Sequence, residues 1–140
     1  MGSSYKSENG TEDKLFLKMN GRKLYQYALE NVPQAIKACL DKSNIHLSEV
    51  KKVLIHQANG KMDDAILKRL YKLYDMEDAT ETIMPMSIDW LGNSSVATIP
   101  TLLDLILKGK SESHTINKGD IVVFASVGAG MNINAVTYRV

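Results

Sequence analysis

Three short polar stretches of the sequence carry groups that can stabilise negative charge on an oxygen atom. They are HQAN (56–59), GNSS (92–95) and GAG (128–130). His56 and Asn93 carry side-chain N–H groups, and the glycine-rich stretch offers a backbone amide. Donors of this kind suit a carbonyl oxygen that gains negative charge during a reaction. The sequence therefore predicts an anion-stabilising site, provided that the fold brings the three stretches together.

Each stretch taken alone also has an ordinary structural explanation. A histidine at a strand end is often held by backbone groups, Asn93 is a suitable helix cap, and Gly128-Ala129-Gly130 is typical of a turn. No nucleophile accompanies them. Cys39, the one cysteine of the chain, lies in the helical pattern AIKACLDKS without a glycine elbow, helix start or nearby base. We expect a buried structural thiol there, and a single cysteine excludes both an internal disulfide and a cysteine-rich zinc site.

The first half of the chain predicts two strands and two helices that would position HQAN. The apolar run at 15–19 is typical of a strand, and Asn20-Gly21 is typical of the turn after it. Helical spacing follows, but Pro33 cannot donate to the helical ladder, so we expect a kink or restart near Asn31. The remaining elements of this half are a buried strand at 53–55 and an amphipathic helix with an apolar stripe from Met62 to Leu73.

The second half predicts three further strands around one apolar helix. Thr82–Ile88 favours a short or irregular strand because Pro85 interrupts it. Asn93 or Ser94 would cap a helix that is apolar on most sides, and we expect that helix in the interior. The last two strands are predicted at 121–125 and 133–140. Strands that alternate with helices indicate an α/β fold with a mixed, mostly parallel sheet of about five strands and helices packed on it. Ligands of such sheets collect beyond the carboxyl ends of the strands.

The composition excludes several classes of partner. Seventeen basic and sixteen acidic residues leave a formal charge of +1, which predicts neither nucleic acid nor a membrane surface as a partner. No apolar run approaches the ~20 residues that span a bilayer, and residues 1–14 lack the apolar centre of a signal peptide. One cysteine fits a reducing cytoplasm. We expect one domain, preceded by a flexible polar segment.

Four longer motifs surround the three polar stretches. They are, in chain order, LFLKMNGRKLYQYAL, VLIHQANGKM, LGNSSVATIPTLL and KGDIVVFASVGAG. Together they cover about residues 15–140 and resemble the C-terminal half of a β-ketoacyl-acyl-carrier-protein synthase III, a condensing enzyme of the thiolase superfamily. The resemblance implies a thiolase-like fold of two similar βαβαβαββ halves, of which this chain corresponds to the second. Residues 1–14 would then precede the domain at 15–140.

The resemblance implies a decarboxylative Claisen condensation of an acyl thioester with a malonyl thioester. His56 and Asn93 match residues that donate hydrogen bonds to the malonyl thioester oxygen as its enolate forms, and some descriptions let the histidine also assist a cysteine. Ala129 matches the loop position whose amide helps to form an oxyanion hole. The acyl group would be carried by a cysteine of the missing first half, so the isolated chain is expected to be inactive. Acyl-CoA and malonyl-acyl-carrier-protein are the implied substrates, without a bound cofactor or metal.

Further matches concern the substrate arm and the partners. Positions that line the pantetheine tunnel are matched by Asn59, Gly21 and Tyr25, and Tyr25 is equally explained by core packing. Positions that meet the acidic acyl carrier protein are matched by Lys61, Lys68 and Arg69, although lysines on an exposed helix face are ordinary. The implied partners are the acyl carrier protein, the cysteine-bearing N-terminal half and, in the full-length protein, a second copy.

Two other functions are compatible with the same residues. One is a non-catalytic half-domain that binds acyl carriers or assembles with a separate cysteine-bearing partner. The other is a thiolase-fold ligase that uses coenzyme A thioesters without decarboxylation. The segment GMNINAV also departs from the family pattern, because Asn132 and Asn134 would make the adjoining pocket wall more polar or move it. The sequence therefore leaves the acyl primer open.

Overall fold

The computed structural model describes residues 20–77, 82–111 and 113–140. The polar segment at 1–14 and the strand predicted at 15–19 lie outside these ranges. The helices are α1 (Gly21–Lys42), α2 (Gly60–Lys72), α3 (Ile88–Leu91) and α4 (Thr98–Leu107). The strands are β1 (Val50–Ile55), β2 (Ile121–Gly128) and β3 (Asn132–Arg139), and short 3-10 turns form at Leu47–Glu49, Ser95–Ala97 and Ala129–Met131.

The sheet has the order β1-β2-β3. β1 pairs with β2 in parallel and β2 pairs with β3 antiparallel. The predicted α/β class with a mixed sheet is confirmed. Of the five predicted strands, three form, the one at Thr82–Ile88 does not, and the one at 15–19 lies outside the described residues. The three strands are joined by one parallel and one antiparallel pairing.

The strand predicted at Thr82–Ile88 does not form. Residues 82–84 make a turn and bends, 85–87 are irregular, and Ile88 opens α3. Pro85 has no N–H to give to a ladder. A backbone hydrogen bond from the Val53 N–H to the Ile83 carbonyl (2.9 Å) still ties the segment to the edge of β1. The segment therefore runs beside β1 without extending the sheet.

Helix α1 is continuous across Pro33, so the predicted kink or restart near Asn31 is wrong. The missing N–H of Pro33 frees the carbonyl of Leu29 one turn earlier. The guanidinium of Arg69 on α2 contacts that carbonyl, with Nη1 3.5 Å from the oxygen. The helix also begins earlier than expected, because Asn20 is its N-cap and accepts a hydrogen bond from the Lys23 N–H (3.2 Å) instead of forming a separate turn.

The core lies on both faces of the sheet. On one face, α1 and α2 pack against β1 and β2. The fully buried side chains of this face come from both helices and both strands and include Ile36, Leu40, Ile66, Leu70, Val53, Ile55 and Val123. On the other face, Leu102 and Ile106 of α4 pack on Leu54 and Val122. The sheet is thus sandwiched between helices, as alternating strands and helices predict.

Helix α4 is only partly interior, contrary to the prediction. Leu102 and Ile106 are buried, but Val96 just before the helix is 94% exposed and Leu107 at its end is 59% exposed. Neither Asn93 nor Ser94 caps it, since the residue before its first turn is Ala97 and no side chain caps that end. The side chain of Asn93 contacts the backbone of Ser95 instead.

Candidate active site

His56 stands directly after the last residue of β1. Its backbone N–H donates to the carbonyl of Ala125 (2.9 Å), which continues the parallel pairing of β1 and β2 by one residue. The ring is partly buried, and Nδ1 lies 3.1 Å from the backbone carbonyl of Ser95. The sheet fixes the backbone of His56, and the turn before α4 orients its ring.

The contact with Ser95 determines which ring nitrogen of His56 carries a proton. A carbonyl oxygen only accepts, so Nδ1–H must be the donor. In the neutral ring Nε2 then has a lone pair and is an acceptor or base, and it becomes a donor only in the imidazolium form. Donation from the ring nitrogen that is not held by Ser95 therefore requires the imidazolium form.

Asn93 follows a sharp turn at Gly92, whose φ is +67°. Its side-chain oxygen accepts a hydrogen bond from the Ser95 N–H (2.9 Å). Because that oxygen is engaged, the carboxamide presents its NH2 group as the remaining hydrogen-bonding group. Ser95 thus holds both candidate donors, since its N–H binds Asn93 and its carbonyl binds His56. Ser95 itself has a φ of +55°, an uncommon value for a residue other than glycine.

The GAG stretch forms the turn between β2 and β3. Gly128 is the last residue of β2 and pairs with Asn132, and Ala129–Met131 closes the hairpin. Gly130 and Met131 have φ values of +77° and +60°. The turn explanation considered for this stretch is therefore correct, and the same turn also adjoins the candidate site.

Two of the three polar stretches contribute side chains to a single cavity of about 260 Å³, and the third borders it through Gly128. His56, Asn93 and Gly128 line this cavity, and the rest of its wall is apolar: Leu24, Ala28, Ile55, Ala58, Met62, Ile66, Val127 and Met131. A second opening of about 490 Å³ shares His56, Val127 and Gly128 and continues toward Ser95 and Ile99. An apolar cavity with a few convergent polar groups is the usual form of a small-molecule site.

The predicted tunnel residues do not line this cavity. Gly21 and Tyr25 are exposed near the start of α1, where Leu24 and Ala28 form the wall instead. Asn59 is the N-cap of α2, with its side-chain oxygen accepting from the Lys61 N–H (3.1 Å). Cap formation alone explains an asparagine there.

The altered segment after the turn does not make the cavity more polar. Asn132 and Asn134 are exposed on β3, and Met131 contributes to the wall instead. Of the two alternatives considered for this segment, the more polar wall does not form. Ala129 belongs to the turn, and its amide as an oxyanion donor stays a prediction.

The predicted docking residues share the outer side of α2. Lys61, Lys68 and Arg69 are all exposed, although Arg69 also reaches back to Leu29. Asp63 does not dilute this cationic surface, because its side chain is completely buried and neither carboxyl oxygen has a hydrogen-bond partner among the described residues. Burial, with a smaller contribution from the charge of Asp64, raises the pKa of Asp63 to about 7.

Cys39 is not fully buried, contrary to expectation. It is partly exposed on α1, with Sγ 3.3 Å from the Thr137 hydroxyl oxygen on β3, and it lines neither cavity. Within the described ranges, no helix is long and apolar enough to cross a membrane, and no cluster of three histidine, cysteine or acidic side chains is arranged to hold a metal ion.

Two residues of the site were not predicted from the sequence. Ser95 acts through backbone atoms, which leave no signal in its side-chain type. Gln57 is fully buried beside His56. Alternation did carry a signal for Gln57, because it lies two residues after the buried Ile55 and so on the same face of the extended chain.

Comparisons with known proteins point to one family. The sequence model for the 3-oxoacyl-[acyl-carrier-protein] synthase III C-terminal region matches residues 40–140. The β-ketoacyl-[acyl-carrier-protein] synthase III of Lactobacillus delbrueckii subsp. bulgaricus is 37% identical over 123 residues, which are 87% of this chain and 35% of that protein. The corresponding protein of Latilactobacillus sakei is 33% identical over 118 residues, 84% of this chain and 33% of its own length. This chain therefore spans about a third of the curated relatives that it matches.

Solved structures show the same likeness. The β-ketoacyl-[acyl-carrier-protein] synthase III of Thermus thermophilus superposes with a TM-score of 0.77 at 25% identity, covering 100% of this chain and 40% of that one. The 3-oxoacyl-[acyl-carrier-protein] synthase III of Aquifex aeolicus gives a TM-score of 0.71 at 27% identity, covering 89% and 37%. The fold is thus that of one part of a thiolase-like synthase.

Proposed function

Because this chain belongs to the 3-oxoacyl-[acyl-carrier-protein] synthase III family, we propose that it is the C-terminal half of an acyltransferase acting in fatty-acid or related biosynthesis. The reaction is a decarboxylative Claisen condensation of an acyl thioester with a malonyl thioester. The observation that carries the proposal is the shared cavity, in which His56 and Asn93 stand together on an otherwise apolar wall. The nucleophilic cysteine comes from an N-terminal half.

His56 acts first on that cysteine. The neutral ring, held by Nδ1–H on the Ser95 carbonyl, takes the thiol proton at Nε2 and leaves a thiolate beside an imidazolium. The thiolate attacks the acyl thioester carbonyl and expels the coenzyme A thiolate, so that the acyl group is carried on the cysteine. The Ala129 amide is one donor to the oxyanion of this transfer.

His56 and Asn93 then act together on the malonyl thioester. Loss of CO2 leaves its bonding electrons as an enolate, and the thioester oxygen gains negative charge. The Nε2–H of the imidazolium and the NH2 of Asn93 donate to this oxygen, each donor lowering the barrier by about 3 kcal/mol. The enolate carbon attacks the acyl-cysteine carbonyl, the cysteine thiolate leaves, and a 3-oxoacyl thioester is released.

The remaining assignments concern the thioester arm and the partners. The apolar wall that includes Leu24 and Met62 suits the alkyl portions of a pantetheine thioester. Asn59, Gly21 and Tyr25 contact this thioester arm where it enters. Acyl carrier protein docks on exposed cations of α2 that include Lys61, Lys68 and Arg69. The complete enzyme works in the cytoplasm as a homodimer and takes its acyl primer from coenzyme A.

The test uses a protein that contains both halves and measures two steps separately. Asn93→Ala should lower CO2 release from the malonyl thioester by about 100-fold and leave cysteine acylation unchanged. His56→Ala should lower CO2 release at least as much, with a smaller loss of acylation because a free thiol is already partly ionised near neutral pH.

The control variant is Cys39→Ser, which retains a hydroxyl partner for Thr137 and should keep both rates. Loss of acylation with normal CO2 release in the Asn93 or His56 variant would overturn the roles of these two side chains in decarboxylation.

A further inference from the structure

Gln57 is the most completely engaged buried polar side chain beside the site. Its side chain is inaccessible to solvent. Its Nε2–H donates to the Pro85 carbonyl (2.9 Å), and its Oε1 accepts from the backbone N–H groups of Ser87 (2.8 Å) and Ile88 (3.0 Å). The Ser87 hydroxyl lies 3.4 Å from the same oxygen. One amide therefore holds three backbone groups of a segment that has no regular sheet pairing.

These bonds replace a cap that α3 does not provide for itself. Ser87 is the N-cap of α3, and its own side chain makes no capping hydrogen bond. The first N–H groups of a helix need an acceptor, and Oε1 of Gln57 supplies it from outside the helix. The position where α3 starts is thus set by a residue of the β1 end.

The same residue connects the two candidate donors. The backbone of Gln57 directly follows His56, whose N–H is fixed to Ala125 of β2. Its side chain fixes Ser87 and Ile88, and the four residues of α3 then lead through Gly92 to Asn93. The distance between the imidazole and the carboxamide is therefore controlled by one link through Gln57 and a second through Ser95.

We propose that Gln57 is a positioning residue for the condensing site: its side-chain amide sets the start of α3 and so holds Asn93 against His56. The inference rests on the proposed function for its catalytic consequence, but its structural part concerns this chain alone. Gln57 touches no reacting atom, and its effect passes entirely through the backbone of residues 85–88.

The first test uses this chain and needs no substrate. Gln57→Met keeps the length and volume of the side chain but removes both hydrogen-bonding ends. Amide hydrogen exchange at Ser87 and Ile88 should become at least about tenfold faster while that of Val123 in β2 is retained. The ¹⁵N shifts of the His56 ring should move from the Nδ1–H tautomer toward a mixture, because the contact with Ser95 loosens.

The control is Ile36→Val, a conservative change in the buried part of α1, about two turns beyond Ala28. It should leave the His56 tautomer and the Ser87 and Ile88 exchange rates as in the parent. Parent-like exchange and an unchanged tautomer in Gln57→Met would overturn the proposal. Uniformly faster exchange with an unchanged tautomer would likewise overturn it, since that result indicates a purely structural role.

A second variant covers the case in which Gln57→Met does not fold. The protonated acid of Gln57→Glu can still donate to Pro85 and accept from Ser87 and Ile88, whereas the carboxylate cannot donate. Both forms accept from Ser87 and Ile88, so the slow exchange of these two amides relative to Val123 should persist through the ionisation. The backbone ¹³C and ¹⁵N shifts of residues 85–88 should change as the new carboxyl ionises, because the Pro85 carbonyl loses its donor and faces a negative charge. The absence of such a change would also overturn the proposal.

The second test separates this inference from the proposed function. In a protein with both halves, Gln57→Met should lower kcat for malonyl decarboxylation by about 100-fold, because small displacements of aligned groups have effects of that size. KM should change by less than about threefold, since binding contacts remain. If the parent releases no CO2, the proposed function fails while the exchange and tautomer results still decide the role of Gln57. A loss confined to KM would contradict the positioning role.

Discussion

Ser95 holds the side chains of His56 and Asn93 through its backbone carbonyl and N–H, and both side chains line one cavity. His56 and Asn93 were identifiable because their side chains carry N–H donors within short polar stretches, and the structure brings both to one cavity. Ser95 was not identifiable, because its contribution is a backbone N–H and carbonyl held at a φ of +55°. The proton position on His56 followed only from coordinates, since it depends on which ring nitrogen faces the Ser95 carbonyl.

The effect of Asp63 on the free energy of unfolding should depend on pH. Its carboxyl is buried without a described partner, and its pKa is raised from 3.8 to about 7. Below about pH 4 the carboxyl is protonated in both the folded and the unfolded chain, so its burial destabilises the fold least there. As the pH rises toward 7 the unfolded chain releases this proton and the folded chain retains it, so stability falls; above about 7 the loss is complete.

We therefore expect Asp63→Asn to match the parent near pH 4 and to exceed it above pH 7 by about 4 kcal/mol in the free energy of unfolding. Urea denaturation between these pH values measures the difference. Asp64→Asn is the control, because Asp64 is exposed and contributes only the smaller charge effect on Asp63. A difference between parent and Asp63→Asn that does not change with pH would contradict the burial argument.

At the scale of elements, the strongly periodic segments were predicted and the exceptions have local causes. Helix α2 and the strands β1, β2 and β3 form where apolar periodicity placed them. Helix α1 passes through Pro33 because surrounding packing retains the helix and Arg69 contacts the freed carbonyl of Leu29. The segment at 82–88 is not a strand because Pro85 lacks an N–H and Gln57 binds the backbone beyond it. Such tertiary hydrogen bonds cannot be read from local propensity.

Asn59 allows a test at the scale of elements, because an asparagine at this position has two explanations: it caps α2, or it contacts the substrate arm. As the N-cap of α2 it accepts from the Lys61 N–H, so Asn59→Ala should lower the free energy of unfolding by about 1 kcal/mol. Asn59→Ser retains a capping oxygen and should stay within a few tenths of a kcal/mol of the parent. Urea denaturation compares the three proteins. Equal stability of all three would mean that the cap is not what the asparagine contributes, and would favour the substrate-arm role alone.

At the scale of the molecule, the described residues cover one face of the sheet incompletely. Val136 and Tyr138 of β3 pair across the ladder with Phe124 and Val122, and Val122 packs with α4. Opposed residues of an antiparallel pair share a face, so Val136 and Tyr138 point to the side that α4 covers over β1 and β2. Both are more than half exposed, at 54% and 56%. This exposed apolar surface along β3 was not predicted from the sequence.

Exposed apolar surface of this kind promotes association. We expect the chain to self-associate as its concentration rises, and Val136→Thr combined with Tyr138→Thr to reduce that association without lowering stability. Threonine suits an exposed strand position, which keeps the strand intact. Sedimentation velocity over a concentration series measures the effect. The control is Lys61→Thr together with Lys68→Thr on the opposite, α2 side, and an equal reduction in that variant would contradict the role of the apolar face.

The chain alone should not complete the proposed reaction, because its donor groups lack a nucleophile at the same cavity. Cys39 faces Thr137 and lines neither opening beside His56. Incubation with an acyl-CoA and a malonyl thioester should therefore yield no 3-oxoacyl product above a protein-free background, as measured by mass spectrometry. Addition of a cysteine-bearing N-terminal half should produce turnover that Asn93→Ala removes. Turnover by the chain alone that disappears in Cys39→Ser would place the nucleophile on α1 and require a different arrangement of the reacting groups.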